Sequence, residues 1–156
     1  MFYENKAFIS NLAKWLDTSD QNAARAIESY KPQIPSMFKQ HTGMLYRGMI
    51  IPSLPNKDFK IDEYTSWSKN RNISLGFLKD PKLRISKKTG ISVLITKQIL
   101  PSKIVLNIHS LAMFLGERQM INLGFDDLVV DSALHEDEVL ISKDITIKPS
   151  DMKVIK

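Results

Sequence analysis

The spacing of apolar residues changes near residue 43, and that change limits the fold more than any other feature of the chain. Before it, Phe8, Ile9, Leu12, Ala13, Trp15 and Leu16 recur at helical spacing. They predict an amphipathic helix over residues 5–17 with the tryptophan in the core. Thr18-Ser19-Asp20 offers N-cap chemistry for a second helix, with Ala23, Ala24, Ile27 and Tyr30 on one face, ended by Pro32 and Pro35. A further helical turn fits Ser36 to Gln40. After residue 43 the signals are those of strands: Met44–Ile50 carrying Arg47, Phe59 and Ile61 followed by Tyr64–Ser68, Ile91–Ile99, Lys103–Ile108, Leu128–Asp131, Ile145–Lys148 and Met152–Ile155. Asn70 can cap a third helix, with Ile73 and Phe77 four apart. Ser110 can cap another, with Leu111, Phe114 and Leu115 inward. The stretch 79–90 is basic and polar and reads as an exposed loop. Helices first and many short strands afterwards predict an α+β fold, not a βαβ alternation around a parallel sheet.

His135 to Ser142 is the strand with chemistry on it. Val139 and Ile141 would form one apolar face, and Glu136, Glu138 and Leu140 the other. Two carboxylates then project side by side, roughly 7 Å apart at the rise of a strand. Like charges at that spacing repel, which a solvated acidic turn tolerates and a functional site exploits.

At 156 residues, 43% of them apolar, the chain predicts a single domain over 1–156 with a sizeable core. Residues 1–43 form its helical part and 44–156 its β core. The absence of cysteine excludes a disulfide framework, thiolate catalysis and cysteine metal sites, and fits a reducing compartment. His41, His109 and His135 lack metal-ligand spacing, so no metal is expected. Lys and Arg number 22 against 17 Asp and Glu, a net charge of +5 that favours an acidic partner. The basic residues are scattered, which makes nucleic acid the weaker reading. No basic n-region leads into an apolar run at Met1, and no apolar segment approaches the ~20 residues that span a bilayer. The expectation is a soluble, cytoplasmic monomer without signal peptide or membrane segment.

Three features follow one another in order: Tyr46-Arg47-Gly48, Thr65-Ser66-Trp67-Ser68 and Glu136-Asp137-Glu138. In this order they resemble the mono-ADP-ribosyltransferases of the arginine–serine–glutamate class, which includes bacterial toxins and bacteriophage enzymes. Tyr64 to Phe77 resembles that family's aromatic-Thr-Ser-Thr-Ser-x-Asn run, with Asn70 and Phe77 in register. Glu136-Asp137-Glu138-Val139-Leu140 resembles its Glu-x-Glu-Val-Leu. The resemblance spans about residues 44 to 148. Trp67 replaces the usual threonine, at a position that points away from the two serines. Asp126 to His135 would have to serve as the substrate-reading turn.

The resemblance implies a split pair of mostly antiparallel sheets with NAD between them as substrate, and no metal. It implies Glu138 as the catalytic carboxylate that stabilises an oxocarbenium-like sugar. Glu136 would orient and deprotonate the acceptor, and a glutamate there is typical of members that modify arginine. A guanidinium, with a pKa above about 12, needs such a base. Arg47 would hold the pyrophosphate or ribose of NAD through its fork of donors, and Gly48 would let the backbone approach the nicotinamide amide. Ser66 would fix the Glu138 rotamer, Ser68 would support the same floor, Asn70 would complete the site or cap the helix, and Phe77 would stack on nicotinamide or join the core. The family further implies a bacteriophage or bacterial effector acting on a host protein, with an acidic target surface favoured by the net charge. An NAD glycohydrolase and a nucleic-acid ADP-ribosyltransferase are the alternatives within the chemistry. A non-catalytic basic binding module is the alternative outside it.

Overall fold

The computed structural model describes residues 5–79, 90–114 and 137–155. Asn5 opens helix α1 (Lys6–Thr18) by accepting at Oδ1 from the N–H groups of Ala7 and Phe8, at 2.9 and 3.2 Å. That satisfies two of the donors a helix start leaves without partners. Ser19 ends the helix in the left-handed region, and Asp20 caps α2 (Gln21–Ser29) by accepting from Ala23 N at 2.8 Å. Two 3₁₀ turns follow, Lys31–Gln33 and Ser36–Phe38. The chain then enters β1 (Leu45–Ile51), β2 (Phe59–Ile61), β3 (Thr65–Ser68), α3 (Arg71–Leu78), β4 (Ile91–Lys97) and β5 (Ile104–Asn107). Residues 108–114 are helical. β6 (Glu138–Ile141), β7 (Ile145–Ile147) and β8 (Met152–Val154) complete the described chain.

Six strands form one sheet in the order β5-β6-β3-β1-β4-β8, and β2 pairs with β7 in a second; every pairing is antiparallel. The predicted α+β, mostly antiparallel class stands. Alternation along β6 divides the core between the two faces of the large sheet. Leu140 packs with Phe8, Leu12, Trp15, Ala24 and Ile27 of the helical pair. Val139 and Ile141 pack with Trp67, Val93 and Ile95, and with Ile61, Ile145 and Ile147 of the small sheet. The large sheet is therefore covered by α1 and α2 on one side and by β2–β7 on the other. Among the described residues no helix is long and apolar enough to cross a membrane.

Three local expectations need correction. Phe59–Ile61 and Thr65–Ser68 are separate strands in different sheets. The reason is a side chain: the Gln21 amide accepts from Tyr64 N at 2.7 Å and donates to Tyr64 O at 3.0 Å, taking both backbone groups that a continuing ladder would use. Asn107, not Ser110, caps the helix after β5, its Oδ1 accepting from Ser110 N at 3.1 Å. Phe114 is not inward; it is half exposed and meets Phe38 edge-on at 5.3 Å, while Leu111 of the same turn is buried. The expected strand Leu128–Asp131, the turn Asp126–His135, Leu115 and most of the 79–90 loop lie outside the described residues.

Candidate active site

The β3–β6 register sets Ser68 opposite Glu138 and Ser66 opposite Leu140, so Ser66, Ser68 and Glu138 share one face. Ser66 Oγ donates to Glu138 Oε1 at 2.8 Å. β1 runs beside β4 through seven registered pairs, from Leu45↔Lys97 to Ile51↔Ile91, but meets β3 only at Tyr46↔Ser68. Beyond that pair the two strands part. Arg47 reaches across the opening, and its Nη1 donates to the carbonyl of Ser66 at 2.8 Å. A guanidinium thus takes a carbonyl that a partner strand would otherwise use.

The Arg47 Nε is buried and has no hydrogen-bond partner among the described residues. Burial lowers the pKa of this guanidinium from its ordinary value, with the carboxylates of Glu63 and Glu138 working in the opposite direction. The group stays charged at any ordinary pH. A desolvated cation with an unused donor gains from an anion placed beside it.

Helix α3 supplies the other wall. Ser68 Oγ accepts from Asn70 N at 2.9 Å, Asn70 Oδ1 accepts from Asn72 N at 2.9 Å, and Ser74 Oγ donates to Tyr46 O at 2.9 Å. These bonds pin the start of the helix to the end of β3 and its middle to β1. Between them opens a cleft of about 510 Å³, counted out to its solvent mouth. Arg47, Ser66, Ser68 and Glu138 line its polar side, and Ile73 and Phe77 its apolar side. Phe77 is 50% exposed, so its ring faces the opening and not the core.

Arg47, Gly48, Ser66, Ser68, Phe77 and Glu138 therefore come together around one cleft. Asn70 does not line it; its side chain is spent on the cap of α3. The structure gives Gly48 a packing reason beside the one expected from the resemblance. A Cβ at residue 48 would lie 2.6 Å from Ser74 O and 2.7 Å from Leu78 Cγ. The glycine is required by the close approach of α3. The strand geometry expected for the two glutamates fails at its midpoint. Asp137 has φ 63°, so alternation cannot be carried across it, and β6 begins only at Glu138. Glu136 and His135 lie outside the described residues.

Two parts of the site escape sequence reasoning. Trp15 of α1, expected only as core, donates from Nε1 to Glu138 Oε1 at 3.1 Å. The one signal for this is general: a buried indole N–H needs an acceptor. The Asp137 turn is the second part. Its N–H donates to His109 Nδ1 at 3.4 Å, and its carbonyl accepts from Lys69 N at 3.1 Å. Burial lowers the Lys69 pKa while Asp137 opposes the shift. Burial also lowers that of His41, against its bond to the Met44 carbonyl and with the help of Lys69.

Chemically, the cleft offers a carboxylate that accepts from Ser66 and Trp15, a desolvated guanidinium whose Nε has no partner among the described residues, and an exposed aromatic ring. Such a set suits a ligand with an anionic group, a centre that develops positive charge and a planar ring. Among the described residues no group of three or more His, Cys, Asp or Glu could hold a metal ion. Compared with protein-family models, curated proteins and solved structures, the chain matches none.

Proposed function

We propose that the protein transfers ADP-ribose from NAD to arginine side chains of target proteins and releases nicotinamide. The observation that carries this reading is the hydrogen-bonded series Arg47–Ser66–Glu138 on one wall of a cleft whose other wall presents Phe77. The buried Nε of Arg47, without a partner among the described residues, fits a pyrophosphate oxygen, and the half-exposed ring of Phe77 fits nicotinamide.

In this reading the bond between C1′ of the ribose and the nicotinamide nitrogen breaks. Its electron pair returns to the ring and cancels the ring's positive charge. The sugar becomes oxocarbenium-like, and Glu138, its rotamer fixed by Ser66, stabilises that charge and holds a ribose hydroxyl. A guanidine nitrogen of the acceptor attacks C1′ and gives up a proton, for which the sequence supplies Glu136 as base. Arg47 anchors the phosphates, so the ribose is presented to Glu138 in a fixed orientation. The net charge of +5 favours a target whose surface is acidic.

The test is labelled NAD with a mixed cell lysate, comparing the wild type with Glu138→Gln. Label in discrete protein bands, removed by hydroxylamine under conditions that cleave arginine linkages and reduced at least ~100-fold in the variant, is the expected result. Glu136→Gln should then abolish transfer and spare NAD cleavage. Free nicotinamide without labelled protein would make the protein an NAD glycohydrolase, and nuclease-sensitive label would make the acceptor a nucleic acid. Neither label nor nicotinamide, with no NAD binding, would leave a non-catalytic basic binding module.

A further inference from the structure

We infer that Trp15 is a positioning residue for Glu138, which makes the N-terminal helical pair a working part of the active site. The inference rests on the transferase reading for what Glu138 does. Its geometry is independent of that reading. Trp15 lies 123 positions before Glu138 and is 2% exposed, yet its Nε1–H is 3.1 Å from the same Oε1 that receives the Ser66 hydroxyl. One carboxylate oxygen is thus held by two donors from different elements, a hydroxyl from the neighbouring strand and an indole from the covering helix. Two donors on one oxygen fix both the side-chain rotamer and the rotation of the carboxylate plane, which a single hydroxyl that can itself rotate does not.

The helix carrying the indole has little freedom. Phe8 and Leu12 of α1 are fully buried with Ala24 and Ile27 of α2. α2 is tied to the start of β3 by the two bonds between Gln21 and Tyr64 and by the Tyr64 hydroxyl, which donates to Glu28 Oε1 at 3.0 Å. The residue so tied is two positions from Ser66. The Trp15 and Ser66 donors therefore sit on elements tied to one another by side-chain hydrogen bonds and a shared core. The other buried indole shows that an apolar core satisfies tryptophan without a carboxylate. Trp67 donates to Thr65 Oγ1 at 2.8 Å, on the far face of the sheet. Setting a partly buried carboxylate against an indole is not needed for packing, and it places the donor on the group whose orientation the reaction uses.

The experiment uses the full chain in three variants: Trp15→Phe, Glu138→Gln, and Phe8→Leu as a control that disturbs the same helix without removing a donor. The indole N–H resonance of Trp15 is followed by NMR in wild type and Glu138→Gln, and NAD turnover is measured in all. The expected results are a displaced Trp15 resonance in Glu138→Gln with that of Trp67 unmoved, and a kcat for Trp15→Phe reduced about 10–100-fold with KM for NAD within about threefold, as for loss of a supporting hydrogen bond. Phe8→Leu should keep its kcat per folded molecule. A Trp15 resonance insensitive to Glu138→Gln overturns the inference, even where Trp15→Phe fails to fold. So does a Trp15→Phe kcat equal to wild type, or a loss matched by Phe8→Leu. A wild type that turns over no NAD is a different failure. It removes the transferase reading, and the positioning role falls with it.

Discussion

Gly48→Ala separates two accounts of the residue after Arg47. In one, the missing Cβ makes room for substrate; in the other, it makes room for α3. The structure supports the second. The added methyl would sit 2.6 Å from the Ser74 carbonyl oxygen, 2.7 Å from Leu78 Cγ and 3.2 Å from its Cδ2. Ordinary contact begins near 3.4 Å, so the helix backbone would have to retreat by about 0.8 Å. Leu78 is buried and cannot turn aside into solvent. Overpacking of this kind costs about 1–3 kcal/mol, and a backbone carbonyl as the obstacle places it at the upper end. Against that, alanine in a strand recovers roughly 0.5–1 kcal/mol of chain entropy. The net expectation is a loss of about 1.5–2 kcal/mol, read as a fall in the urea midpoint with an unchanged slope. The Ser74–Tyr46 bond should weaken, and Phe77 should move with the helix. A midpoint within ~0.5 kcal/mol of wild type, together with lost NAD binding, would refute the packing argument and restore the substrate one.

Arg47→Lys keeps a charge but not the fork that serves the Ser66 carbonyl and the cleft at once. Its affinity for NAD should fall about 10–100-fold by calorimetry, since a hydrogen bond to a charged group is worth about 1.5–3 kcal/mol; an unchanged Kd would remove Arg47 from the anion site. Asp137→Val puts a β-branched residue at φ 63° and should cost about 1–2 kcal/mol relative to Asp137→Gly; equal urea midpoints would contradict that. Burial and the Glu28 hydrogen bond push the Tyr64 hydroxyl up to about 12 from its usual 10. The unfolded chain therefore loses this proton first, so the contribution is complete below pH 10 and is lost as the pH rises from 10 to 12. Tyr64→Phe should flatten the alkaline decline of stability in that window, and an unaltered decline would assign it to other groups.

The parts of the fold legible in the sequence are those decided by near neighbours. Asp20 and Asn70 each cap the helix that follows, because a cap is a contact over two or three residues. The strands Leu45–Ile51 and Ile91–Lys97 fall within two residues of the apolar stretches Met44–Ile50 and Ile91–Ile99 that predict them. What escapes is decided at long range. The break between Phe59–Ile61 and Thr65–Ser68 is imposed by Gln21, more than forty positions away, which competes for the backbone of Tyr64. Phe114 has the right spacing for an inward residue, but whether a helical face is covered depends on what packs over it. Trp15 could be read as core and was core; its second role lies in an N–H that periodicity does not see.

The candidate site divides along the same line. A resemblance of three short motifs identifies Arg47, Ser66 and Glu138, but it cannot say how they meet. Antiparallel register explains one meeting: with Ser68 opposite Glu138, Ser66 is diagonal to it, within reach of a hydroxyl. The Arg47 meeting needs the opposite event, a ladder that stops. Were β1 and β3 paired along their length, the Ser66 carbonyl would be occupied by backbone and Arg47 would have no route across the sheet. The single registered pair Tyr46↔Ser68 supplies both the free carbonyl and the gap. The same parting admits α3, which bonds to Tyr46 O through Ser74 and stands on Gly48. Cleft, guanidinium and apolar wall therefore share one structural cause, the opening of the sheet between β1 and β3. Restoring a continuous ladder there would abolish all three together.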